Sequence, residues 1–150
     1  MMKGIYKLLT ITLIFAGLNA GNIVYGQCND ELLTRASTKL GDEFVYLKDV
    51  RVRLKESKKN QPPYTIKQSL VLTFGVTYKF VIQNAKEYDG KLVFSLFDMD
   101  GVVATNYSES SGKVYYEVLY KCKKSGVYNL TAQFKDGAEG CAVCMVGMNK

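Results

Sequence analysis

Cys141-Ala-Val-Cys144 is the pair of side chains best spaced for chemistry in this chain. Two thiols at that spacing can form a thiol–disulfide redox centre, provided the first sits at a helix N-terminus, where the helix dipole lowers its pKa. The run Gly140-Cys-Ala-Val-Cys-Met-Val-Gly-Met148 leaves six residues after Cys144, too few for that helix. Read as a strand, it turns the two cysteines to opposite faces with Cα atoms about 10 Å apart. A bridge spans roughly 7 Å, so the pair is not expected to close on itself.

The remaining partners are Cys28 and Cys122, which leaves two connectivities: 28–141 with 122–144, or 28–144 with 122–141. Either one staples an N-terminal helix to the last strand, each bridge contributing about 2–4 kcal/mol. A zinc site built from four spread thiolates and no histidine is a poor prospect in an exported protein. A thiol redox protein using Cys141 and Cys144 is the alternative function class.

Asp98-Met-Asp100-Gly101 resembles the start of a calcium loop, but Val102-Val103-Ala104 supplies none of the further oxygen ligands. Asp-Gly is equally the preferred two-residue hairpin turn, and a turn is the reading adopted. Asp98 and Asp100 stay weak metal candidates, and no cofactor is expected. They are also the acids of the other alternative, a carbohydrate-active enzyme. Neighbouring turn acids, however, do not face each other across a cleft. With no histidine, nucleophile elbow or phosphate loop, the chain is not expected to be an enzyme.

Arg51, Arg53 and Lys55, followed by Lys58 and Lys59, are the densest basic cluster. Such a row either solvates a strand face and protects a sheet edge, or meets an anionic glycan, headgroup or acidic partner. Tyr64, Tyr88, Tyr107 and Tyr115 are candidate aromatic contacts, rigid groups that offer area at low entropy cost. Asn106-Tyr-Ser108 and Asn129-Leu-Thr131 fit the N-glycosylation sequon.

The elements that must position these groups begin after an export signal. Residues 1–7 carry Lys3 and Lys7 with no acid, residues 8–18 are almost wholly apolar, and Val24 and Gly26 suit a signal peptidase. Cleavage near Gly26–Gln27 makes residues 1–26 a signal peptide and residues 27–150 the mature domain, secreted or periplasmic. Gln27 before Cys28 and Tyr25 behind it do not fit lipoprotein processing. Loss of Lys3 and Lys7 lowers the net charge from +6 to +4, short of a nucleic-acid footprint. No later stretch spans a bilayer.

Residues 29–40 read as a helix: Asn29 or Asp30 caps it, Leu32, Leu33, Ala36 and Leu40 share a face, and Gly41 ends it. From Phe44 the period becomes two, with Val50, Val52 and Leu54 alternating against Arg51, Arg53 and Lys55. Further strands lie at about 66–74, 76–84, 92–97, 102–107, 114–122, 128–134 and 141–148, separated by Gly-containing turns. The last is apolar on both faces. That makes an all-β domain of about eight strands, a β-sandwich or jelly roll preceded by one short helix.

Gly75-x-x-Tyr78-x-Phe80, Leu96-Phe-Asp98-Met-Asp-Gly101, and Gly126-x-Tyr128-x-Leu130 before Gly140-Cys141 together resemble a family of small exported bacterial proteins of unknown function. More loosely they are similar to the secreted β-sandwich modules called GOLD (Golgi dynamics) and PPC (found beside secreted peptidases), over about residues 44–148. The helix and cysteines depart from the PPC pattern, and the coiled coil and membrane anchor of trafficking GOLD proteins are missing. The resemblance implies a β-sandwich with a non-catalytic binding role toward an extracellular or envelope protein or glycan, and carries over no site residues.

Overall fold

The computed structural model describes residues 30–150; the signal peptide, its cleavage site, Cys28 and Asn29 lie outside them. Among the described residues one α-helix, labelled α1 (Asp30–Leu40), precedes the strands. These are β1 (Phe44–Leu54), β2 (Ile66–Leu72), β3 (Thr77–Asn84), β4 (Leu92–Phe97), β5 (Val102–Thr105), β6 (Tyr107–Ser108), β7 (Lys113–Val114), β8 (Glu117–Lys121), β9 (Gly126–Phe134) and β10 (Gly140–Asn149). A single 3-10 turn, Lys135–Gly137, links the last two.

Two four-stranded antiparallel sheets, in the orders β1-β10-β3-β8 and β2-β9-β4-β5, stack face to face, and β6 and β7 form a small hairpin. The pairings nest: β1 with β10, β2 with β9, β3 with β8, β4 with β5. The chain is thus one long hairpin ribbon wrapped on itself, the topology of a jelly roll. This is the all-β sandwich expected from the alternating strands.

Alternation decides which side chains line the interior. Val50, Val52, Phe80, Ile82 and Cys144 from the first sheet meet Leu70, Leu72, Phe94, Leu96 and Leu130 from the second. Phe80 and Phe94 stack between the sheets at 4.9 Å, and Tyr120 meets Tyr128 edge-on at 6.2 Å. The outer face of the first sheet is covered by α1, whose Leu32, Ala36 and Leu40 pack on Val81, Cys141, Val143 and Met145.

The helix end is fixed by three local features. Gly41 adopts φ +80°, the left-handed conformation that closes a helix. Lys79 donates from Nζ to the free carbonyls of Lys39 (2.7 Å) and Leu40 (3.3 Å), placing a cation at the negative end of the dipole. A side chain at Gly147 would meet Leu40 Cδ1 at 2.6 Å and the Val45 carbonyl at 3.1 Å, so glycine leaves room for the Leu40 side chain against β10.

Residues 114–122, expected as one strand, break at Tyr115 and Tyr116, and the cause is Asn106. β5 is too short to pair all of β4, so the carbonyl of Leu92 and the amide of Phe94 have no strand beside them. The wholly buried Asn106 side chain replaces it: Oδ1 accepts from the Phe94 amide (2.7 Å) and Nδ2 donates to the Leu92 carbonyl (2.9 Å). Nδ2 also donates to the Tyr115 carbonyl (2.9 Å), and the Tyr115 amide donates to the Asn106 carbonyl (2.8 Å). Tyr115 is therefore spent on Asn106 and leaves the ladder. A side chain with 0 % exposure is no glycan acceptor, so the Asn106 sequon reading is corrected.

Replacing Asn106 with alanine strips the Phe94 amide and the Leu92 and Tyr115 carbonyls of a buried partner. We expect a loss on the order of 3 kcal/mol and a melting temperature lower by roughly 10 °C, read by circular dichroism. A melting temperature equal to wild type would show that this network adds nothing.

Candidate functional site

β10 is buried on both faces, and this sets the fate of the Cys-x-x-Cys motif. Ala142, Cys144 and Val146 point into the sandwich, while Cys141, Val143 and Met145 point to the helix. Cys144 is a free thiol, and burial pushes its pKa up to about 12. It is protonated at neutral pH and shielded from any thiol partner, the reverse of a reactive cysteine.

Cys122 is also free and buried, so both two-bridge connectivities are corrected. The register gives the reason. Cys144 lies opposite Ile82 on β3, whereas the Cys122 amide bonds the Val76 carbonyl, six residues away along that path. Six residues of strand are about 20 Å, and β3 also stands between the two cysteines in the sheet. The Cys122 Sγ instead sits 3.1 Å from the Lys124 carbonyl and 3.6 Å from the Tyr128 hydroxyl. Tyr128 has its ionisation pushed well above the ordinary tyrosine range, by burial first and then by its bonds to Cys122 and Tyr120. Cys141 is disulfide-bonded, and its partner is not among the described residues.

Asp98 is committed to its own turn. Its Oδ1 accepts from the amides of Asp100 (2.8 Å) and Gly101 (3.0 Å), an Asx arrangement that makes the hairpin. Among the described residues no three His, Cys, Asp or Glu side chains cluster as a metal site.

The basic row points outward from β1, as its alternation requires. Arg51 is held by Asp30 and Asp49, each at 3.4 Å, and Arg53 lies 5.2 Å over the Tyr88 ring. Lys55 follows the end of the strand and is exposed. The Tyr46 hydroxyl donates to Asp49 at 2.6 Å, and that bond raises its pKa. Tyr107 lies under Lys135 at 5.9 Å and Tyr115 under Lys113 at 5.0 Å, while Tyr64 is exposed beside Ser57. Among the described residues, none of these contacts joins Arg51, Arg53, Lys55, Tyr64, Tyr107 or Tyr115 to another of the six. They are scattered groups, and Arg51, Arg53, Tyr107 and Tyr115 each have a separate neighbour.

The opposite end of the sandwich is different. The β2–β3, β4–β5 and β8–β9 turns meet there and are pinned by short bonds. The amides of Phe74 and Gly75 donate to Ser125 Oγ and the Cys122 carbonyl, both at 2.8 Å. The Tyr128 hydroxyl donates to the Lys124 carbonyl at 2.7 Å. On these fixed turns stand Met99 and Phe74, 91 % and 69 % exposed, with the cross-strand pair Val71 and Val127 at 73 % and 61 %. Val102, half exposed, extends the patch along β5. Asp98, Met99 and Asp100 enclose a pocket of about 60 Å³ with residues 124–128, too small for a metabolite-sized ligand.

None of these apolar residues stood out among the chemistry-bearing groups of the sequence. The available signal was local: Leu70-Val71-Leu72 is apolar on both strand faces, and Phe74 and Met99 occupy turns where polar residues are usual. The chain matches no protein-family model, and no curated protein matches it. Among the described residues no helix is long and apolar enough to cross a membrane.

The thiol chemistry has a direct readout. In native protein neither Cys122 nor Cys144 is expected to react with iodoacetamide, and both should alkylate in denaturant without reductant, with Cys141 alkylating only after reduction. Peptide mass mapping checks this, and labelling of Cys144 in the native state would contradict its burial.

Proposed function

We propose that the chain is an exported, non-catalytic binding module that engages its partner through the β2–β3, β4–β5 and β8–β9 turn end. The observation that carries this reading is the set of exposed apolar side chains on two hydrogen-bonded turns, Phe74 and Met99, and on the strand ends beside them. Exposed large apolar side chains gathered at one end of a domain mark a surface suited to contact. Pinned turns also lose little entropy on docking.

Export is supported by the signal-like segment at residues 1–26 and by the bonded state of Cys141, which belongs to an oxidising compartment. Cys28 is the one cysteine left to pair with it, and a 28–141 bridge would tie the start of the mature chain beneath α1. The non-catalytic reading rests on the lack of histidine, the hydrogen-bonded Asp98 and the buried, protonated Cys144. The likeness to GOLD and PPC modules points the same way, as an analogy of fold.

The test is co-sedimentation of the purified exported protein with the envelope fraction of its source cell. Wild type is expected in the pellet and a Phe74→Ser/Met99→Ser variant in the supernatant. Both side chains are exposed, so the melting temperature should change by less than about 2 °C. Equal pelleting of the two proteins would remove this end as the contact surface.

A further inference from the structure

We infer that the partner of the turn end is a bilayer surface carrying anionic headgroups, into which Phe74 and Met99 insert; this rests on the binding-module reading above. A folded protein partner requires a surface of matching shape, and an apolar pocket ligand requires a cavity. This end offers neither, since its largest apolar groups stand at the tips of two separate turns and the pocket between the turns is about 60 Å³. Protruding apolar side chains on a rigid support are suited to a medium that conforms to them. The headgroup–acyl boundary is such a medium, taking apolar groups to a depth of about 5–10 Å.

Charge complements the apolar tips. Lys121, Lys123 and Lys124 are all exposed where β8 turns into β9, beside the Ser125 hydroxyl that holds the Phe74 amide. Against them stand Asp98, whose Oδ1 is engaged by two backbone amides, and exposed Asp100. Over the β4–β5 and β8–β9 turns the balance is one positive charge, while exposed Asp42, Glu43 and Lys150 lie farther along the same end, beside the start of β1. Attraction to anionic lipid therefore assists the docking, and apolar insertion supplies most of the affinity. Salt should weaken the binding without abolishing it.

The chain has no tryptophan, so Phe74→Trp places a single fluorophore at the proposed contact. Its emission is expected to shift to the blue when vesicles of phosphatidylcholine and phosphatidylglycerol are added, and less with phosphatidylcholine alone. Met99→Trp is the second reporter and should behave alike. In sedimentation with the mixed vesicles, Phe74→Ser/Met99→Ser should reduce partitioning of the exported full chain about tenfold or more. Lys121→Gln/Lys123→Gln/Lys124→Gln should reduce it severalfold at low salt and little at high salt.

No blue shift and no sedimentation with anionic vesicles would overturn the lipid proposal. If the envelope assay still distinguished Phe74→Ser/Met99→Ser from wild type, the module would stand with a protein or glycan partner. If that assay also failed, both readings would fall. A blue shift that grows with protein concentration in the absence of vesicles would identify a second copy of this chain as the occupant, again overturning the lipid.

Discussion

The structure depends on burying one strand from both sides. β10 has β1 and β3 as hydrogen-bonded neighbours, the second sheet across the interior, and α1 on its back. No polar side chain can be accommodated on either face, which is why Cys141 to Val146 is apolar throughout. The helix is recruited by the same constraint. A strand with Val143 and Met145 outward would expose them to water unless something covered that face, and burying side chains of this size contributes about 1.5–3 kcal/mol each. Gly41 ends α1, and the Lys79 cap on its last carbonyls together with the space at Gly147 holds that end against the sheet.

The nested pairing of the ribbon leaves one geometric debt, at its closed end. β5 is short and β6–β7 turns away, so β4 lacks neighbours beyond Ser95 on that side. A buried amide settles it within the chain. One asparagine substitutes for a strand residue at Leu92 and Phe94, and by taking up the backbone of Tyr115 it also directs the chain toward β8. A network in which each buried group has its partner raises the cost of alternative registers, because any slip leaves several of them unpaired.

What was legible in the sequence follows the range of the interactions. The helix, its Gly41 stop, the alternation of β1 and the doubly apolar β10 are written in periodicities of a few residues, and they appear where those periods place them. The opposed facing of Cys141 and Cys144 came from the same local rule. The free state of Cys122 was not local. It depends on β3 lying between β8 and β10 and on a register offset, neither of which one strand's pattern encodes. The break at Tyr115 was hidden for the same reason, since its cause lies nine residues upstream in a side chain that reads as a sequon. The candidate site was least legible. Charged and aromatic residues drew attention by type, whereas Phe74, Met99, Val71 and Val127 gain meaning only when three turns are seen to converge.

That convergence separates stability from recognition. Leu72, Leu96 and Tyr128 belong to the buried cluster, and exposed Phe74, Met99 and Val127 stand within one to three residues of them along the chain. The turns beneath them are held by backbone amides, Ser125, Tyr78 and Tyr128, so the fold would stand with polar tips as well. Exposed Phe and Met add nothing to such a framework and raise the risk of self-association. Their presence on a support that already satisfies its own hydrogen bonds is the physical argument that this end is shaped for contact. The arginines and tyrosines of the earlier candidate set are scattered over other parts of the surface and do not converge in this way.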